Sequence, residues 1–252
     1  MRKKPLRNPG ESLSEEIDRK FNEDAMPYLM GAAFFTGFII YEWIRWEFKI
    51  GISPWTFTIG LSPVVMFCVY KFYQIAHQTR NLRTGLEGEK YVGQYLETLR
   101  PLGFRICHDI PPSGKGMANI DHLIVCPQGI FVVETKTRTK VNGRDNVVNV
   151  TDDGRLLFNG QEADRDAIAQ VQALRSNVRE LLKETTGRDF PVRGIITIPE
   201  WFVRGRCPIP GLWVLNPKGI RYFICNENDC LSEEDIALVC SRIADYIRSK
   251  HG

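Results

Sequence analysis

The sequence contains no Cys-x-x-Cys pair and no set of His and Cys residues at zinc-ligand spacing. Its seven cysteines (68, 107, 126, 207, 225, 230, 240) are odd in number and scattered, and its four histidines (77, 108, 122, 251) complete no ligand set. That excludes a zinc-built or disulfide-built scaffold and indicates free thiols in a reducing compartment. No internal repeat or low-complexity tract is present, so solenoids and fibrous folds are excluded as well. Charge of one sign is also scarce. A net charge of +3 and a pI near 8.4 are too mild to indicate a nucleic-acid partner by themselves. At 252 residues the chain can hold one large domain, or one domain with additions.

The additions are apolar. Residues 1–24 form a polar tail of mixed charge, expected to be mobile. Ala25–Tyr41 carries no formal charge, and Ile50–Tyr70 is a second uncharged run. A hydrocarbon core of about 30 Å needs roughly 20 apolar residues. The second run meets that length; the first reaches it with Trp43 and Ile44. Tyr28, Tyr41, Trp43, Trp46, Trp55, Tyr70 and Tyr73 sit near the run ends, where interfacial aromatics belong. Residues 25–73 are therefore predicted to form two transmembrane helices, with membrane lipid as a partner. The alternative is a pair of buried helices in a soluble core. Basic residues cluster in the tail and after Tyr70, which puts both termini in the cytoplasm and makes this a multi-pass cell-membrane protein. The late start and the missing small-x-small site argue against a cleaved signal peptide. Residues 74–83 are expected to be a linker.

The soluble domain is predicted over 84–252. Thr84-Gly-Leu-Glu87 fits a capping box, with a helix running to Leu99. Glu89, Val92, Leu96 and Leu99 share one face of it, and a carboxylate on an apolar stripe needs a partner. Strands are expected at Phe104–Asp109, on both sides of Pro127-Gln128-Gly129, and at Val147–Val150, Arg155–Phe158, Val192–Ile198, Leu212–Leu215 and Ile220–Ile224. Helices are expected at Ala163–Glu184 and Ser232–Lys250.

The hairpin of Ile120–Thr137 organises the rest. Residues i and i+2 of a strand face the same way, so Glu134 and Lys136 point together. If Cys126 and Gly129 close the turn, Asp121 lies opposite Glu134. A three-residue loop would make them diagonal neighbours. Two carboxylates at cross-strand distance repel unless a cation lies between them. Hard divalent ions take such ligands together with water and phosphate. A lysine alongside could orient the attacking water or steady a phosphate, so the set suits phosphodiester hydrolysis. An ion pair at a sheet end remains the alternative. Lys115 lies in the Gly/Pro/Ser loop before Asp121. Arg138, Lys140 and Arg144 follow Lys136 in the densest basic stretch near the site, which is equally suited to a solvated face.

Gly88-Glu89, Ile120-Asp121-His122 and Gly129-Ile-Phe-Val-Val-Glu-Thr-Lys136 resemble the NERD (nuclease-related) domain. Asp166-Ala-Ile-Ala-Gln170 is a looser match to that family's Asn-Pro-x-x-Gln element, departing at Asp166 and Ala167. The resemblance covers about Thr84–Leu182. It implies a PD-(D/E)xK, restriction-endonuclease-like α/β fold: an αβββαβ core with a mixed central sheet flanked by helices. It implies Mg²⁺ (or Mn²⁺) on Asp121 and Glu134, Lys136 beside the metal, Glu89 as an accessory acid and Gln170 lining the site. Together with the apolar runs and the basic residues, the leading reading is a membrane-anchored deoxyribonuclease on the cytoplasmic side, with candidate phosphate contacts at Lys115, Arg138, Lys140 and Arg144. RNA as substrate and a homo-oligomer stay open. The alternative is an inactive module of the same fold that tethers nucleic acid or protein to the membrane.

Overall fold

The computed structural model describes residues 6–112, 114, 118–140, 145–162 and 166–251. They fall into two compact units: Ser12–Arg83, and the segments 1–11 and 84–252 taken together.

The first unit is helical. α1 (Glu11–Arg19) passes through a π-helical stretch, Lys20–Ala25, into α2 (Met26–Glu47). The first part of α3 (Trp55–Glu97) runs antiparallel to α2. Trp43 packs edge-on to Trp55 at 5.3 Å, Phe38 to Phe57 at 5.5 Å and Tyr28 to Phe67 at 6.2 Å. The Trp43 indole N–H donates to Thr58 Oγ1 at 3.0 Å. Met30, Phe34, Ile59 and Met66 are exposed, so the pair turns large apolar side chains outward. Among the described residues one helix is long and apolar enough to cross a membrane, the one beginning at Trp55. The expected pair of spans differs here. α2 has the length, but Pro27, Tyr28, Tyr41 and Glu42 dilute its apolar run. Glu42 is buried and bonded to Arg45 at 3.0 Å.

The second unit is a sheet packed on both faces. β1 (Arg105–Ile110), β2 (Ile120–Cys126) and β3 (Gly129–Thr135) are antiparallel; β7 (Val192–Thr197) and β9 (Leu212–Leu215) extend the sheet parallel to β3. The order β1-β2-β3-β7-β9 is a mixed α/β sheet. A second sheet, ordered β6-β5-β4-β8, contains β4 (Val147–Val150), β5 (Leu156–Phe158), β6 (Gln161–Glu162) and β8 (Phe202–Arg204). Alternation along the strands splits the core. Leu123, Val125, Ile130 and Val132 meet Leu174, Val178 and Leu182 of α4 (Ala167–Thr186) and Val239 and Ile243 of α6 (Glu233–His251). Ile124, Phe131 and Val133 meet Val92 and Leu96 of α3 and Leu99 just after it, with Ile220 and Ile224 of α5 (Ile220–Cys225). Each of these fully buried side chains contributes about 1.5–3 kcal/mol, enough to fix where α3 crosses the sheet.

Several local expectations are corrected. No helix starts at Thr84: α3 is already helical through 74–83, so that segment is no coil, and Glu87 is exposed. Ile220–Ile224 is helical, because Asn216 caps a turn through Lys218 N–H and the two buried isoleucines stand four apart. The tail is ordered where it is described: Arg7 is buried, and its guanidinium reaches Asp109 at 2.9 Å.

Candidate active site

The site stands at the open end of the β2–β3 hairpin. Cys126 pairs with Gly129 and His122 with Val133, so the next pair out is Asp121 with Glu134. Thr135 N–H donates to Asp121 Oδ2 at 2.7 Å, locking that end. Glu134 also neighbours Ile196 of β7 in the parallel ladder, which Lys136 N–H continues to Thr197 O at 2.9 Å. The ladder therefore carries the Glu-x-Lys pair to the end of β3, with Glu134 inside the strand and Lys136 one residue beyond it.

Glu134 is buried. Its Oε1 accepts from Lys136 Nζ and from Gln170 Nε2, each at 2.7 Å, and Lys136 Nζ also donates to Gln170 Oε1 at 2.8 Å. Its Oε2 is buried with no hydrogen-bond partner among the described residues. Gln170 reaches this point because Asp166 caps α4, accepting from Ile168 N–H and Ala169 N–H at 3.0 Å. Asp and Asn are equivalent caps, and Ala at the next position does not oppose the helix. The departure from Asn-Pro thus leaves Gln170 in place.

Glu89 comes from α3. Gly88 allows the approach: a Cβ there would stand 2.0 Å from Thr137 Cγ2. Burial raises the Glu89 carboxyl to about 7, helped by the charges of Asp109 and Glu134, with Lys136 opposing. Burial, then Glu134 and Glu89, push Asp121 well above the usual carboxylate range against the Thr135 hydrogen bond and Lys136. Burial raises Glu134 too, partly offset by Lys136 and Gln170. The shared cause is negative charge confined out of water.

Asp109 was not anticipated. It is the next-to-last residue of β1, with φ near +48°, is buried, and accepts from Asn119 at 3.2 Å as well as pairing with Arg7. An acidic residue near a strand end was its one visible sign; the effect of its charge on Glu89 depends on tertiary placement.

The structure brings Asp121, Glu134, Lys136, Glu89 and Gln170 together. The proposed phosphate contacts are placed differently. The Arg138 guanidinium lies over the Phe158 ring at 5.1 Å, and Trp201 Nε1 donates to its carbonyl at 3.0 Å. Lys140 makes an exposed ion pair with Glu200 at 3.1 Å. Lys115 and Arg144 lie outside the described residues.

No group of three His, Cys, Asp or Glu side chains among the described residues could hold a metal alone. Two carboxylates still suit Mg²⁺, which keeps waters and takes phosphate oxygens. The orphaned Glu134 Oε2, beside Asp121, fits a hard cation.

Residues 84–199 match the family model of NERD, the nuclease-related domain. All five converging residues lie inside the matched NERD segment. No curated protein matches the chain. Among solved structures, that of Pyrococcus furiosus SfsA in complex with Ca²⁺ is similar at 18% identity and a TM-score of 0.25. The match covers 65% of this chain and 54% of that one, so this chain spans about half of that protein's length.

Proposed function

We propose that this protein is a membrane-anchored, Mg²⁺- or Mn²⁺-dependent deoxyribonuclease that hydrolyses phosphodiester bonds on the cytoplasmic side. The observation that carries the reading is the buried Glu134 beside Asp121, with one oxygen held by Lys136 and Gln170 and the other without a partner. Asp121 and Glu134 would hold the ion, which when bound supplies Lewis-acid polarisation of the scissile phosphate. Lys136 stands at the site beside Glu134, where it can steady a phosphate oxygen or orient water. Gln170 fixes Lys136 and Glu134 in one geometry. Glu89, with a pKa near 7, can accept or release a proton at neutral pH.

The anchor is the helical pair α2–α3, inserted as a hairpin with both termini cytoplasmic. Its support is the outward apolar surface of Met30, Phe34, Ile59 and Met66 together with the basic residues at both ends of the pair.

A second reading has one observation in its favour. Lys136 already neutralises Glu134 without a metal, as it would in an inactive module that only tethers a partner. Cleavage of supercoiled DNA separates the two. Nicking should require Mg²⁺ or Mn²⁺, stop in EDTA, and vanish in Asp121→Ala, Glu134→Ala and Lys136→Ala proteins that still fold. Cleavage that survives all three substitutions, or no cleavage by the parent, rejects the enzyme.

A further inference from the structure

The stretch 201–226 has a composition unlike the rest of the chain. Its 26 residues contain no Asp or Glu, four Lys or Arg and five aromatics. It lies beyond the segment matched by the nuclease-related family model. Phe202–Arg204 is β8 of the second sheet and Trp201 is buried on Phe158, while the fold gathers 205–226 at one edge of the main sheet. β9 pairs with β7 on one side only, and a cleft of about 550 Å³ runs along it between 205–211 and α5.

Aromatic rings line this cleft. Trp213 stacks on Phe131 at 5.5 Å and meets Phe223 at 5.7 Å. Tyr222 is 70% exposed, and Phe223 is exposed beside it. Arg206 lines the cleft; Arg204, Lys218 and Arg221 are exposed outside its lining, Arg221 near Tyr95, and none of the four makes an ion pair among the described residues. The one carboxylate lining the cleft, Glu227, is engaged by Arg193 at 2.9 Å.

Exposed rings with unpaired cations and no competing acid are what a polyanion with flat, stackable groups would recognise. A single-stranded nucleic acid has both. Each base offers a π-face, and each phosphate can pair with an arginine. Duplex DNA hides its base faces and would use the cations alone. The position suits the site as well. β9 is two strands from β3, about 10 Å away. Leu215 at its end pairs with Thr197, level with Thr135 and next to Glu134. Trp213 lies with Phe131 and Val133 on the face of the sheet opposite Glu134, so a strand in the cleft would round the end of β9 to reach the carboxylates.

We propose that the β9–α5 cleft is a binding track for single-stranded nucleic acid, delivering an unpaired strand to the hairpin end. As a substrate path it rests on the nuclease reading; as a binding surface it is tested without catalysis. The full-length protein in neutral-lipid nanodiscs, in EDTA, is titrated with a fluorescent oligothymidine and with a duplex of equal length. The oligothymidine should bind more tightly. Tyr222→Ala should weaken it by about 5- to 150-fold, the contribution of one stacked base. Arg206→Gln and Arg221→Gln should each lower the salt slope by about 0.7. Duplex binding as tight as the single strand, or single-strand affinity unchanged in all three variants, overturns the proposal. So does hydrogen-exchange protection of 201–226 that follows anionic lipid in the disc instead of oligonucleotide. Binding that follows the prediction without cleavage in Mg²⁺ leaves the track standing and removes the nuclease. Metal-dependent cleavage with unaltered binding does the reverse.

Discussion

Asp121 and His122 are neighbours on β2 and face opposite sides of one sheet. The buried polar clusters they join are built on different principles. On the His122 side, the two Nδ1 atoms of His108 and His122 are 2.9 Å apart, one donating to the other. His108 Nε2 lies 2.7 Å from Glu97 Oε1, and Arg100 Nε donates to Glu97 Oε2 at 2.7 Å. Burial holds both imidazoles below their usual range and so neutral. Burial alone would raise Glu97, but hydrogen bonds from Arg100 and His108 bring it below the ordinary value. Charge in this chain meets an opposite partner near the surface. On the Asp121 side, Arg7 pairs with Asp109 and Lys136 with Glu134, and Glu89, Asp121 and Glu134 are all raised. The first cluster pairs its charges, and leaves His122 Nε2 buried without a hydrogen-bond partner among the described residues. The second crowds carboxyl groups together out of water, which raises their affinity for protons.

The sharpest way to break this contrast is Glu134→Gln. Metal-dependent cleavage should fall by more than about 10²-fold, the scale of removing one preorganised electrostatic group. The same substitution should leave melting in EDTA unchanged or higher, because it removes one of the crowded charges. A large loss of metal-free stability would show that Glu134 is a structural ion pair. Gln170→Ala comes next. It frees Lys136 and Glu134 from their common geometry and should lower apparent metal affinity by about 10- to 100-fold, as the loss of a supporting partner does. Isothermal titration with Mn²⁺ reads this directly.

On the other side, His108→Ala should cost about 1–3 kcal/mol in urea unfolding, because it strands buried partners on His122 and leaves Glu97 without its imidazole. Cleavage should change little. The smallest effect is in pH. Both folded imidazoles titrate below the unfolded value of about 6.5, so the unfolded chain takes up protons first as pH falls. Stability should therefore be full above about 6.5 and decline below it, and His108→Gln should flatten that decline in thermal melts.

The contrast was only half visible in the sequence. The two-residue turn set a register summing to 255, so the cross-strand position of Asp121 and Glu134 could be read from spacing. Glu89 could be found because it interrupts an apolar stripe. Asp109 could not, since its place depends on a left-handed residue at a strand end and on where residues 6–11 fold back. The His108–His122 contact was equally hidden: it needs the β1–β2 register, which sums to 230 across a loop of no fixed type. The capping box at Thr84 misled because a local start signal is silent inside a helix that has already begun. The strand expected at Ile220 misled because the short apolar and aromatic run Tyr222-Phe223-Ile224 carries no period. The phosphate contacts placed at Arg138 and Lys140 rested on charge density alone, which says nothing about stacking on Phe158 or pairing with Glu200.

The Arg7–Asp109 ion pair also says how the chain is threaded. Residues 1–11 and 84–252 belong to the same compact unit, so Ser12–Arg83 is an insertion closed at both ends and not a leading arm. A truncated chain beginning at His77 would keep every residue of the hairpin end. It would also take away the guanidinium that Asp109 was folded around, and add that carboxylate's charge to a cluster already overfull. Mechanically, a force on the insertion is shared between two attachment points. One is the covalent path through α3. The other is a handful of contacts led by a single arginine, and it would be the first to give.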